Sequence, residues 1–155
     1  MKLKLESEAA LTAAAADLAK HWRAGGLTAL SAGLRGPLGS GKTTWARAML
    51  AGLGYVGRVP SPTYTLLEEY RVARLTLIHL DLYRFNAPEE LEFLGIRERF
   101  GEPGVWLLVE WPERAPHLLA KCDAVLDFAP VGTTGRIVTF SAQSAAGGAA
   151  LEHVR

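Results

Sequence analysis

The sequence predicts an α/β fold whose sheet mixes parallel and antiparallel strands, and three observations lead there. Short apolar runs alternate with amphipathic stretches long enough to be helices. Two β-like runs, 64–72 and 75–80, are separated only by Ala73-Arg74, which suits an antiparallel hairpin. A third run, 27–34, passes directly through a glycine-rich turn into a helical stretch. That order of strand, turn and helix belongs to a parallel sheet.

Taken in order, residues 2–5 alternate apolar and charged side chains as a short strand does. Ser7 can cap a helix on which Leu11, Leu18 and Trp22 share a face, and Gly25-Gly26 ends it. The run 27–34 is mostly apolar and reads as a buried strand, followed by a helix over 42–53 closed by Gly54. After a loop at 57–62 comes the hairpin. Pro88-Glu89-Glu90 opens a helix, 105–109 is a second buried strand, and Pro112 starts another helical stretch. Two further strands are expected at 124–128 and 136–140. From Ser141 the chain is rich in Ala, Gly and Ser with no core-forming pattern, so the expectation is one domain over 1–140 and a flexible tail over 141–155.

Bulk properties exclude several function classes. A chain of 155 residues, 49% of them hydrophobic, can build one packed core. Seventeen Lys and Arg against sixteen Asp and Glu leave a net charge of +1, too small a field to draw the protein onto nucleic acid or a membrane. Cys122 stands alone, and His21, His79, His117 and His153 have no metal-ligand spacing. The start lacks the apolar stretch of a signal peptide, and no run approaches the roughly 18 apolar residues of a membrane span. A soluble, cytoplasmic protein is expected.

The chemistry concentrates at Gly36-Pro37-Leu38-Gly39-Ser40-Gly41-Lys42-Thr43, which meets the spacing of a phosphate-binding P-loop between a strand and a helix. Its glycines let backbone N–H groups approach phosphate oxygens, and the helix that follows turns its positive dipole end to the same anion. Lys42 supplies a point charge for the outer phosphates, the Thr43 hydroxyl can ligate Mg²⁺, and Thr44 is left for the inner phosphates. The expected ligands are ATP and Mg²⁺, on a P-loop NTPase-like three-layer sandwich. A glycine-rich turn that binds nothing is the alternative, and the flanking strand and helix argue against it.

A metal bridging two phosphates calls for a carboxylate at a neighbouring strand end. Glu110, directly after 105–109, has that position, and Asp81, after 75–80, has an equivalent one. Either suits metal ligation or orientation of water, and both also fit plain surface acids at strand ends. Trp111 can shield the site or simply belong to the core. Arg84 can neutralise developing charge or form a surface ion pair. His79 lies between apolar residues, reads as a hydrogen-bonded structural histidine, and is given no catalytic role.

Four blocks in order resemble the bacterial TsaE family, formerly called YjeE: 36–44, then Ser61-Pro62-Thr63-Tyr64-Thr65 and on to Tyr70, then His79-Leu80-Asp81-Leu82-Tyr83-Arg84, then Val109-Glu110-Trp111-Pro112-Glu113. The resemblance implies a P-loop ATPase, weak alone, that is needed to make threonylcarbamoyladenosine next to the anticodon of tRNA. It implies that Thr43 and Glu110 bind Mg²⁺ and that Gly39, Ser40, Gly41, Lys42, Thr43 and Thr44 enclose the ATP phosphates. It makes 61–65, with Thr63, a switch-like loop, makes Asp81 and Trp111 functionally sensitive, and sets Ser7 and Glu8 near the adenine. The implied catalytic set is Lys42, Asp81 and Glu110. The implied partners are TsaB and TsaD, where TsaD is the transferase and tRNA is contacted indirectly if at all. Pro37 departs from the family, many of whose members are acidic there. A small-molecule or nucleotide kinase is the rival, but it needs an acceptor pocket and a lid, and no separate lid segment is readable.

Overall fold

The alternation at the start of the chain becomes an edge strand, β1 (Lys2–Leu5), in a computed structural model that describes residues 1–62 and 65–154. Ser7 caps α1 (Glu8–Ala24), its side chain accepting the Ala10 N–H, and Leu11, Ala15, Leu18 and Trp22 are the buried stripe. β2 (Ala29–Arg35) leads through the glycine-rich turn into α2 (Lys42–Gly52). The hairpin forms as β3 (Leu67–Val72) and β4 (Leu75–Asp81), turned by Ala73 at φ 54°.

The chain continues through α3 (Pro88–Phe93), a 3₁₀ turn at Ile96–Arg99 and the strand β5 (Val105–Glu110). The helical stretch expected from Pro112 is a 3₁₀ turn (Pro112–Arg114) and one further turn, α4 (Pro116–Leu119). It is interrupted because Pro116 has no N–H to continue a helix. The hairpin of β6 (Ala124–Val131) and β7 (Gly135–Ala142) follows, and then α5 (Ala145–Glu152).

The strands make one sheet in the order β1-β7-β6-β2-β5-β4-β3. β6, β2, β5 and β4 run parallel, while β3, β7 and β1 join antiparallel. Both faces are covered, so β4 and β5 are buried along their whole length, which explains their unbroken apolar runs. On one face Leu30, Leu34, Leu77, Trp106 and Leu108 pack with Trp22 and Trp45 of α1 and α2. On the other, Ile78, Leu80, Leu107 and Val109 pack with Leu91, Ile96 and Leu118. This is the expected three-layer arrangement with a mixed sheet. Because side chains alternate along a strand, Leu77, His79 and Asp81 share one face of β4, and Trp106, Leu108 and Glu110 share the same face of β5. That face is the one that carries α1 and α2.

The expectation of a flexible tail from residue 141 is corrected. β7 continues to Ala142, and α5 begins under the Ser144 cap, whose side chain accepts the Gly147 N–H. Asp123 ties this end down, accepting from Ser144 Oγ at 2.6 Å on one oxygen and from Ser31 N and Oγ, each at 2.8 Å, on the other. Trp22 Nε1 donates to Ala150 O, and Ala150 and Val154 are buried. The composition misleads because small residues pack by close backbone approach, not by bulk. A Cβ on Gly147 would collide with the Asp123 carbonyl.

Candidate functional site

The glycine-rich loop is held at its entrance by an ion pair. Arg35, the last residue of β2, donates to both carboxylate oxygens of Asp127 on β6 at 2.7 and 2.9 Å, a bidentate geometry that fixes the strand end before Gly36. The loop then turns with Ser40 N donating to Pro37 O at 3.1 Å. Gly39 (φ 74°) and Gly41 (φ 105°) occupy backbone conformations that a side chain disfavours. Gly41 is the N-cap of α2 and no described side chain caps this helix, so the positive end of its dipole is presented at the loop. Pro37, the departure from the family pattern, contributes through its carbonyl, which needs no N–H.

Lys42 is 5% exposed and folds back over its own loop. Its Nζ donates to Gly36 O at 2.6 Å and Pro37 O at 3.0 Å, and lies 4.3 Å from the centroid of the Trp111 ring. Burial pushes its pKa below the usual lysine range, while Glu110, Glu113 and Asp81 pull it back up. Trp111 reaches it because the chain breaks sharply at the end of β5. Trp111 sits in the left-handed region (φ 55°, ψ 46°), which costs a non-glycine residue about 1–2 kcal/mol. Its N–H donates to Leu34 O, and its ring packs at 5.1 Å against Tyr83.

The two carboxylates lie beside this lysine. Glu110 is 3% exposed, and its Oε1 accepts from Thr43 Oγ1 at 2.8 Å and from His79 Nε2 at 2.7 Å. Asp81 is equally buried, and its Oδ1 accepts the Tyr83 N–H at 2.9 Å. Thr43, Glu110 and Asp81 thus offer oxygen donors only, the set that suits Mg²⁺. Among the described residues no group of three or more His, Cys, Asp or Glu could hold a metal.

These parts line one cleft of about 350 Å³, which brings together Gly39, Ser40, Gly41, Lys42, Thr43, Thr44, Asp81, Glu110 and Trp111. Thr63 lies outside the described residues. Arg84 is exposed and not in the cleft wall. A larger hollow of about 530 Å³, between β1, α1 and α5, shares none of these residues. Glu8, which the family resemblance set near the base, is in the cleft wall, together with Tyr83 and Arg136, which sequence reasoning does not single out. The available signal for Arg136 is its place in the alternation with Val138 and Phe140, a charge at the end of an inward-facing row. His79 is joined to the site through Glu110, and only the fold reveals that contact.

The fold and the loop together define the class, a P-loop NTPase-like α/β protein with its strand-end acids gathered on the loop side of the sheet. The family model described as "Threonylcarbamoyl adenosine biosynthesis protein TsaE" matches residues 5–138, and the chain belongs to the TsaE family. Relatives named tRNA threonylcarbamoyladenosine biosynthesis protein TsaE include that of Haemophilus influenzae, 49% identical over 94 residues, 61% of this chain and 59% of that protein. The Bacillus subtilis relative is 38% identical over 109 residues, 70% of this chain and 67% of its own length. The match to the Haemophilus protein thus spans about three fifths of that protein's length. The crystal structure of Bacillus subtilis YdiB superposes with a TM-score of 0.76 at 25% identity, covering 99% of this chain and 93% of that one. Among the described residues no helix is long and apolar enough to cross a membrane.

Proposed function

We propose that this chain binds ATP with Mg²⁺ in the cleft at the start of α2 and hydrolyses it as a component of threonylcarbamoyladenosine biosynthesis on tRNA. The observation that carries the reading is the convergence of Thr43 Oγ1 on Glu110 Oε1 at 2.8 Å, with Lys42 buried between the loop and Trp111. A hydroxyl and a carboxylate this close form a ready pair of hard ligands, and the adjacent ammonium supplies charge for the outer phosphates. Bound Mg²⁺ would supply charge neutralisation across those phosphates. Lys42 would exchange its loop carbonyls for phosphate oxygens, Trp111 and Tyr83 would keep water from the ammonium, and Asp81 would orient a water molecule.

Family membership supports the place of this activity in tRNA modification. TsaB and TsaD are the proposed partners, with TsaD the transferase and this chain the ATP-driven accessory in the cytoplasm. ATP hydrolysis measured alone and with the TsaB–TsaD pair, and capture of that pair with and without ATP, test the reading. Release of phosphate to water and ATP-dependent capture are expected. Phosphorylation of a small acceptor in place of water would point to a kinase, and absence of both turnover and capture would remove the proposed role.

A further inference from the structure

Glu110 can serve a cation only if its flexible side chain is held in place, and its hydrogen bonds show what holds it. Thr43 of α2 donates to Oε1, and His79 of the neighbouring strand β4 donates to the same oxygen. His79 is wholly buried, and its second ring nitrogen, Nδ1, has no hydrogen-bond partner among the described residues. An ionised carboxylate only accepts, so Nε2 carries the proton. An unprotonated Nδ1 leaves just a lone pair unmatched, whereas a proton there would be a buried donor without an acceptor. The position therefore tolerates an unmatched nitrogen inside a buried strand, and the hydrogen bond the ring makes in return is the one to Glu110.

We propose that His79 is a positioning residue for the metal-nucleotide site, holding the Glu110 carboxylate on the side of Thr43 and making nucleotide binding responsive to Mg²⁺. The inference rests on the reading that the cleft binds a nucleotide with Mg²⁺. It adds that His79 touches neither nucleotide nor ion and acts through Glu110, as the outer partners of metal ligands do. The contact arises from strand register: Asp81 stands opposite Glu110 and His79 opposite Leu108, so the imidazole lies one step behind the carboxylates on the same face.

Calorimetric titration of the full chain with ADP, once with saturating Mg²⁺ and once with EDTA, gives two affinities whose ratio measures the response to the ion. In His79→Asn, whose amide is too short to reach Glu110, that ratio is expected to fall about tenfold or more. In His79→Gln, whose amide nitrogen reaches to about the place of Nε2, most of it is restored. His79→Phe keeps the ring volume without the donor and gives the same comparison should the asparagine variant fail to fold. Variants that melt lower but keep the wild-type ratio would overturn the proposal and leave His79 as packing alone. A wild-type chain that binds ADP under neither condition would overturn the nucleotide reading of the cleft itself, a separate failure.

Discussion

Asp81 and Glu110 stand opposite each other in register at the ends of the adjacent parallel strands β4 and β5, both 3% exposed and both facing α2. Two buried carboxylates at this spacing repel unless a cation intervenes, and the Lys42 ammonium supplies one. Their described hydrogen bonds differ. Glu110 is engaged by Thr43 and His79, whereas Asp81 accepts the Tyr83 N–H at the start of the following loop. Glu110→Gln keeps the shape and removes the charge, and is expected to weaken Mg²⁺-dependent ADP binding at least tenfold, about 1.4 kcal/mol. Asp81→Asn can still accept from Tyr83 and is expected to lower ATP turnover more than ADP affinity. Titration and phosphate release measured on both variants check this division.

Lys42→Ala removes the one ammonium among the described residues of the cleft wall. A hydrogen bond to a charged group contributes about 1.5–3 kcal/mol, so ADP affinity should fall between about tenfold and a hundredfold. Fluorescence or calorimetric titration reads the change. Wild-type affinity and turnover in this variant would contradict the assignment of the loop.

Trp111 should report on the cleft by its own emission. Trp22, Trp45 and Trp106 are at most 1% exposed within the core under α1 and α2, whereas Trp111 lines the cleft and covers Lys42. ADP binding is expected to change the intrinsic fluorescence of the wild type, and Trp111→Phe should lose that response while still binding ADP. A cation over an aromatic ring contributes about 0.5–2 kcal/mol, so Trp111→Ala should weaken binding further than Trp111→Phe.

Docking of α5 depends on the absence of a side chain at Gly147, where any Cβ would press on the Asp123 carbonyl. Gly147→Val is expected to lower stability by about 1–3 kcal/mol, the range of overpacked cores. Chemical denaturation measures it. An unchanged midpoint would mean that the last helix contributes little to the fold.

Cys122 is buried, its Sγ directed at Leu118 O, and burial pushes its thiol up to about 12, with Asp123 adding to the rise. The native thiol should therefore resist thiol reagents between about pH 7 and 9 and react only after unfolding. The unfolded thiol ionises from about pH 8.5. Above that the unfolded state holds fewer protons than the folded one, so stability is lost as pH rises, at about 1.4 kcal/mol per pH unit until the folded thiol also ionises. Denaturation midpoints of the wild type and Cys122→Ala across that range should converge if the thiol is the cause.

Much of this protein is legible in its amino-acid order, because local rules operate over a few residues. The spacing of Gly36, Gly41, Lys42 and Thr43, the cap at Ser7, the hairpin at Ala73-Arg74 and the apolar run before Glu110 each carry their meaning within one element. What they cannot reveal is how elements meet. The Ala- and Gly-rich segment after Ser141 has no apolar period, yet it forms α5, because small residues let backbones approach and Asp123 and Trp22 supply its hydrogen bonds. His79 reads in sequence as a buried histidine with no task, and only the parallel register of β4 on β5 brings its ring to 2.7 Å from Glu110. Arg136, far from the loop in sequence, enters the cleft wall because β7 lies beside β6 and brings its inward row toward Gly41. Sequence alone determined the spacing of the glycine-rich loop and the alternation of elements, since backbone conformation and side-chain period are local. Tertiary structure alone decided which strand ends converge on that loop, since strand order and register depend on contacts between residues distant in the chain.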